Sequence, residues 1–386
     1  MTTVPRHCAV LHVLAPAPVG GAETVVRSLL AEGNAGTFRH QLAALVGAQG
    51  SHQYVDELKQ LRCSVIPIHC AHRRYLHKAL SVARVARRLR VSIIHTHGYQ
   101  GDIVGGIAAR WVGLPVLSTA HGFTGGDWKN QFYEHIDRVA LRHADAVIAV
   151  SDSLRSLLIQ AGCDPTKVRV IKNGIAPQPV LPRTEALRGL GLAPGGPVLG
   201  WVGRLSHEKN PLAFVDLVHE LAVPGVRGVM IGNGPLLRDV EESAARLGLC
   251  AKEFSAVGSL PAAAKYMSAF DVLVMTSRIE GTPMVLLEAM AAGVPIATYA
   301  VGGIPMVVDS SMAYLAEPAN LAQLIDVTRS ALDDPGDARN RVYQARAAID
   351  MRFTPGAWLE RIEAVYDEIL GRIPPNVEPG GVTESG

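Results

Sequence analysis

Apolar, strand-length runs alternate with helix-length segments along nearly the whole chain, and this alternation leaves few folds open. Runs near Ala9–Leu14, His40–Leu45, Ser64–Ile68, Ser92–Thr96, Val116–Thr119, Ala146–Ala149 and Val168–Lys172 read as strands. A second series follows near Val198–Val202, Gly228–Ile231, Phe254–Val257, Val272–Met275 and Pro295–Thr298. Strands buried on both faces are apolar throughout, and the helices between them supply crossovers, so parallel sheets covered on both sides are expected. The chain has 386 residues, too many for one typical core. The stretch Ala176–Pro197 is dense in Pro and Gly and marks the break between two halves. The predicted organisation is a first domain at 1–178, a linker at 179–197 and a second domain at 198–352. Residues 353–372 form a closing helix, with Trp358, Ile362, Val365, Tyr366 and Ile369 on one side. Residues 373–386, polar and Pro/Gly-rich, are expected to be disordered.

Composition narrows the function. The five cysteines are scattered and lack CxxC spacing, which argues against a disulfide framework or a zinc site and fits a reducing compartment. No segment reaches the apolar length of a membrane span, and the N-terminus does not read as a signal peptide, so a cytoplasmic protein is expected. Residues 1–180 hold 20 Lys/Arg against 11 Asp/Glu, while the remainder holds 17 against 24. No acid stands between Glu57 and Asp102, whereas Arg73, Arg74, Lys78, Arg84, Arg87, Arg88 and Arg90 gather there. Leu76, Leu80, Val82, Val85 and Leu89 interleave with them at roughly helical spacing. Two readings stand: a solvated helix face, or a basic amphipathic helix for anionic lipid or a lipid-diphosphate acceptor. Nucleic acid is disfavoured, because no binding motif or aromatic platform accompanies the charge.

Two loops carry candidate chemistry. Glu280-Gly-Thr-Pro-Met-Val-Leu-Leu-Glu288 follows the apolar run Phe270–Met275. Thr282 is a suitable N-cap and Pro283 suits the first helical position, so the amides of Gly281 to Met284 are expected to face a phosphate. Glu280 then lies in the loop and Glu288 on the second turn, an arrangement that suits a nucleotide-sugar. A capped helix with one surface and one half-buried Glu is the plainer alternative. The second loop, Val202–Asn210, sets Arg204 and Lys209 just after a strand, where two cations could clamp a pyrophosphate.

Together these segments resemble the retaining glycosyltransferases of family 4, which have the GT-B fold. The resemblance runs from about His7 to Leu370 and includes G-G-A-E at Gly20–Glu23, S-T-A-H-G at Ser118–Gly122, D-A-V-I-A-V-S at Asp145–Ser151, N-G-I at Asn173–Ile175 and I-G-N-G-P at Ile231–Pro235. It implies two Rossmann-like domains facing each other across a deep cleft, with the last helix crossing back to the first domain. It implies a hexose transfer with retention from a nucleotide-diphosphate sugar, UDP favoured and GDP possible, to a glycan or lipid-linked hydroxyl. By the same resemblance Arg204 and Lys209 hold the diphosphate, Glu280 contacts the sugar, Glu288 binds the ribose, and Gly20 and Gly21 close over the donor. His121 is similar to a histidine at the sugar–acceptor junction; the alternative is a histidine hydrogen-bonded at a strand end. His97 is a weaker candidate toward the acceptor. Gly232 and Asn233 form a turn at the base-binding edge or a purely structural one.

No cofactor is expected. The Asp-x-Asp signature of metal-dependent glycosyltransferases is missing, so the cations take the metal's role, and metal ligation by His95 and His97 is not expected. The partners expected are a nucleotide-sugar donor, a glycan or lipid-linked acceptor and, if the basic helix meets lipid, the inner face of the plasma membrane. Bacterial polysaccharide, exopolysaccharide or glycolipid synthesis is the expected setting. Two other readings remain: a sugar-nucleotide 2-epimerase of the same fold, and a catalytically idle membrane-associated scaffold.

Overall fold

The computed structural model describes residues 8–17, 21–33, 37–48, 52–71, 74–122, 136–176, 179–221, 223–260 and 262–371. Gly20, Arg73 and the tail 373–386 lie outside the described residues.

In the first half, strands β1 (Cys8–Leu14), β2 (Phe38–Val46), β3 (Val65–His69), β4 (Ile93–His97), β5 (Val116–Ala120), β6 (Ala146–Ala149) and β7 (Val168–Val170) form one parallel sheet in the order β3-β2-β1-β4-β5-β6-β7. Helices α1 (Gly21–Glu32), α2 (Gln53–Gln60), α3 (Tyr75–Leu89), α4 (Gly98–Val112) and α5 (Asp152–Gln160) are among those that cover it. Ser151 caps α5, its hydroxyl accepting from the Leu154 amide at 3.2 Å.

The second sheet is also parallel and runs β10-β9-β8-β11-β12-β13, from β8 (Val198–Val202), β9 (Arg227–Ile231), β10 (Phe254–Ala256), β11 (Val272–Met275), β12 (Ile296–Tyr299) and β13 (Tyr314–Ala316). Its helices are α6 (Arg183–Gly189), α7 (Pro211–Glu220), α8 (Leu237–Arg246), α9 (Met284–Ala292), α10 (Leu321–Asp333) and α11 (Pro335–Arg352). The chain closes with α12 (Pro355–Ile369). The edge strand β13 was not expected, because three residues bounded by an exposed loop carry too little periodicity to stand out.

The stretch 179–197 is not a plain linker: it contains α6, which buries Ala186 and Leu187 in the core of the second half. Arg183 pairs with Asp271 at 2.8 Å and the Leu181 amide donates to the Lys265 carbonyl. Flanking Pro and Gly hid one amphipathic helix.

Helix α12 returns to the first sheet. Its buried side carries Trp358, Ile362, Val365 and Tyr366, each contributing about 1.5–3 kcal/mol by burial. Gly174 makes room for it, since a Cβ there would lie 2.5 Å from the Trp358 Cβ. Arg169 pairs with Glu368, tying the helix to β7.

In each sheet the order reverses beside the first strand, between β1 and β4 and between β8 and β11. Ligands of open α/β sheets bind at such switch points, beyond the carboxyl ends of the strands.

Candidate active site

The two loops singled out from sequence lie at the second switch point, one after β8 and the other after β11. They are stitched together by the Arg278 amide donating to the Glu208 carbonyl at 2.8 Å. Lys209 Nζ sits 2.7 Å from Glu280 Oε1 and 2.8 Å from Oε2. The Ser277 hydroxyl donates to the same Oε1 at 2.6 Å, so the nearly buried carboxylate is held from two sides. Arg204 is exposed on the same loop, and its guanidinium makes no hydrogen bond or ion pair among the described residues.

The Glu280 loop also meets the first half of the chain. Thr282 donates its hydroxyl to the Val150 carbonyl at 2.5 Å, and Asn173 Nδ2 donates to the Thr282 carbonyl at 3.3 Å. A Cβ on Gly281 would stand 3.3 Å from the His121 carbonyl, which sets His121 against this loop. A Cβ on Gly21 would lie 3.6 Å from Met284 Cγ, so the N-termini of α1 and α9 face one another. Two helix starts, Lys209 and the Glu280 carboxylate thus come together, with Arg204 on the same loop as Lys209, and helix starts and cations are groups that bind anions.

Residues 19–178 match the family model Glycosyltransferase Family 4, and residues 182–348 match Glycosyl transferases group 1. The 2-deoxystreptamine N-acetyl-D-glucosaminyltransferase of Streptomyces fradiae is 31% identical over 344 residues, covering 82% of this chain and 80% of its own. This chain belongs to glycosyltransferase family 4.

Another relative of this glycosyltransferase is the UDP-Gal:alpha-D-GlcNAc-diphosphoundecaprenol alpha-1,3-galactosyltransferase of Escherichia coli, 26% identical, with 73% of this chain and 77% of that protein covered. The fold matches the crystal structure of Anabaena Alr3699/HepE in complex with UDP-glucose, with TM-score 0.80, 22% identity and coverage of 94% of this chain and all of the other. The architecture is therefore GT-B, as the sequence implied.

Several details of the site differ from the sequence reading. Helix α9 of the glycosyltransferase begins at Met284 with Pro283 as its cap, and Thr282 does not cap it. The Thr282 hydroxyl is spent as a donor to Val150, which leaves it no part in holding the first amides of α9. Glu288 is half-buried and lines a small crevice with Ile175, Val180 and Ala264. Desolvation pushes its carboxyl up to about 7, and the positive charge of Arg27 acts against that rise. Arg27, on α1, was missed from sequence; its signal is an arginine on a helix that otherwise buries Val25, Val26, Leu29 and Leu30.

Gly232 closes a turn against the cation loop. Its φ is +149°, and a Cβ would fall 1.8 Å from the Gly203 carbonyl oxygen. The Asn233 carbonyl accepts from the Leu205 amide at 3.1 Å while its side chain stays exposed. The turn therefore shapes the loop that carries Arg204.

Gly302 and Gly303 were also missed. The Gly303 amide donates to the Glu280 carbonyl at 3.0 Å, and a Cβ on Gly302 or Gly303 would approach the carbonyls of Glu280 and Gly281 to 2.1 and 1.9 Å. A Gly-Gly pair just beyond a strand was the available signal.

On α3, Arg74, Arg84, Arg87 and Arg88 are exposed as expected, but Lys78 is buried and donates to Gln100 Oε1 at 3.1 Å. The helix turns Ala79, Val82, Ala83, Val85 and Ala86 inward, which leaves Leu76 and Leu80 outside, 65% and 38% exposed. Small residues pack against the close-lying α4, so the large leucines are displaced to the surface. The apolar side expected there is shifted around the helix.

His97 does not reach the cleft surface. It is buried behind His121, its Nδ1 3.1 Å from His121 Nε2. Burial lowers the pKa of His121 to about 4 and those of His12, His95 and His97 well below the usual value. Ring nitrogens of His12, His95 and His97 approach within 4.8 Å of one another, close enough to share a metal. His12 and His97 hydrogen-bond each other at 3.0 Å, and His95 spends both nitrogens on Tyr366 and Thr119. The trio thus has hydrogen-bond partners without an ion.

Proposed function

We propose that this glycosyltransferase moves a hexose from UDP to a hydroxyl of a lipid-linked glycan acceptor, with retention and without a divalent ion. The observation that carries the reading is the Lys209–Glu280 pair, on a loop that also carries Arg204, beside the facing N-termini of α1 and α9. Arg204 and Lys209 take the diphosphate and stabilise the charge that develops on the leaving phosphate; preorganised charge of this kind accounts for a large share of enzymatic acceleration. A diphosphate competes with Glu280 for Lys209, releasing one carboxylate oxygen for the hydroxyls of the transferred sugar. Glu288, once ionised, offers two acceptor oxygens to the ribose diol. His121, set against Gly281 from the other half, faces the junction of sugar and acceptor. Retention rests on the family resemblance, and UDP is supported by the relatives whose names and complexes contain it.

The acceptor reading draws on α3, where Leu76 and Leu80 stand exposed beside Arg84, Arg87 and Arg88. Such a surface suits anionic lipid, and no helix among the described residues is long and apolar enough to cross a membrane. A soluble aminocyclitol acceptor is the second reading, favoured by the Streptomyces fradiae relative. The excess of nine positive charges in residues 1–180 works against an aminocyclitol, itself a cation.

Titration of UDP, GDP and ADP in EDTA, beside a variant carrying both Arg204→Ala and Lys209→Ala, tests the donor half. Binding of UDP that the variant loses supports it, and failure of any nucleotide to bind removes it. Product analysis with lipid-linked and aminocyclitol acceptors, and with no acceptor, separates the two acceptor readings and also an epimerase.

A further inference from the structure

Four imidazoles form one continuous hydrogen-bonded chain through the first sheet. His40 Nδ1 is 2.9 Å from His12 Nε2, His12 Nδ1 is 3.0 Å from His97 Nε2, and His97 Nδ1 is 3.1 Å from His121 Nε2. The rings of His12 stack on those of His40 and His97, and His97 stacks on His121. A Cβ on Gly33 would fall 2.4 Å from the His40 ring, so the absence of a side chain there leaves the ring its place. At the far end, His40 Nε2 lies 4.0 Å from Oε1 of Glu363 on α12. That carboxylate oxygen is buried and has no hydrogen-bond partner among the described residues.

Neutral imidazole has one N–H and one lone pair. Every contact in the chain joins a Nδ1 to a Nε2, so a neutral chain has only two ordered states. Either all four rings carry the proton on Nδ1, or all four carry it on Nε2. We infer that Glu363 selects the second state and thereby sets the tautomer of His121 from the opposite end of the chain. A carboxylate favours N–H over a lone pair at the nitrogen facing it, so His40 holds its proton on Nε2 and accepts at Nδ1. His12, His97 and His121 follow in turn, and His121 is left with a bare Nδ1. His121 is then a hydrogen-bond acceptor at that atom, fitted to a sugar or acceptor hydroxyl. Glu363, His40, His12 and His97 are positioning residues, acting through His121. This use of His121 rests on the glycosyltransferase reading, whereas the tautomer itself does not.

The test is long-range proton–nitrogen NMR of the full chain with ring-labelled histidine, the His121 signals being assigned by their loss in His121→Gln. The expected result in the wild type is a protonated Nε2 and a bare Nδ1 at all four rings. Glu363→Gln, and separately His12→Leu, should each shift His121 toward the Nδ1-protonated form, with kcat falling several-fold and the donor KM unchanged. A Nδ1-protonated His121 in the wild type overturns the inference, as does a His121 signal that neither substitution moves. The spectra need no turnover, so a failure of the donor titration would leave this result standing.

Discussion

Lys209 and Glu280 stand 71 residues apart in sequence and meet as a two-pronged ion pair, Nζ lying 2.7 and 2.8 Å from the carboxylate oxygens. The pair joins the loop after β8 to the loop after β11 across the switch point of the second sheet. Arg204, on the same loop as Lys209, makes no such contact among the described residues. Their substitutions should therefore differ. Lys209→Ala and Arg204→Ala should each lower kcat/KM about a hundredfold or more, measured by steady-state kinetics. Lys209→Ala should also lower the melting temperature, because it leaves a nearly buried carboxylate with Ser277 alone. Arg204→Ala should not change the melting temperature, since the guanidinium is exposed.

Glu288 supplies a prediction in pH. Its carboxyl is raised from 4.5 to about 7, so between those values the folded chain holds a proton that the unfolded chain has lost. Its contribution to stability therefore falls as pH rises through that window. UDP affinity should run the other way, rising up to about pH 7, because the ribose diol donates to the ionised form. Glu288→Gln should flatten both slopes, read by thermal melts and calorimetric titration over the same pH series.

Gly302 and Gly303 leave no room for a side chain beside the Glu280 loop. Gly303→Ala should displace that loop and abolish measurable transfer, and Gly302→Ala should do the same with added strain, since Gly302 has φ of +54°. A melting curve and UDP titration of each variant would show whether the loss is local.

Leu76 and Leu80 are exposed, so replacing both with Glu should cost little stability. If α3 meets anionic lipid, the double variant should lose sedimentation with vesicles containing phosphatidylglycerol, and wild-type binding should weaken with added salt. Unchanged sedimentation would remove the membrane from the proposal.

Thr282 ties the two halves through its hydroxyl to Val150. Thr282→Val should cost on the order of 1 kcal/mol, seen in denaturant melts, with a higher donor KM as the Glu280 loop loses its tether.

Much of this was legible along the chain because it is local. Apolar runs bounded by turns marked all seven strands of the first sheet and five of the second. Arg204, Lys209, Glu280 and Glu288 stand out as candidates in the sequence because loops after strands and helix starts are where charge is useful. Side-chain direction was not legible. Nothing in the spacing of α3 indicated that the small residues of α4 would draw its alanines inward, bury Lys78 and expose Leu76.

Sequence alone settles where most strands and helices form, since backbone preference and apolar periodicity act over a few residues; the three-residue β13 and the helix α6 amid Pro and Gly escaped it. It also settles which loops hold the charged groups. Whether Lys209 meets Glu280, whether Thr282 caps a helix or reaches Val150, and how His121 connects through three histidines to Glu363 depend on distances between segments far apart in the chain. Those distances are set by how two sheets and a returning helix pack, and hydrogen bonds and charge act only once that packing has brought the partners within a few ångströms.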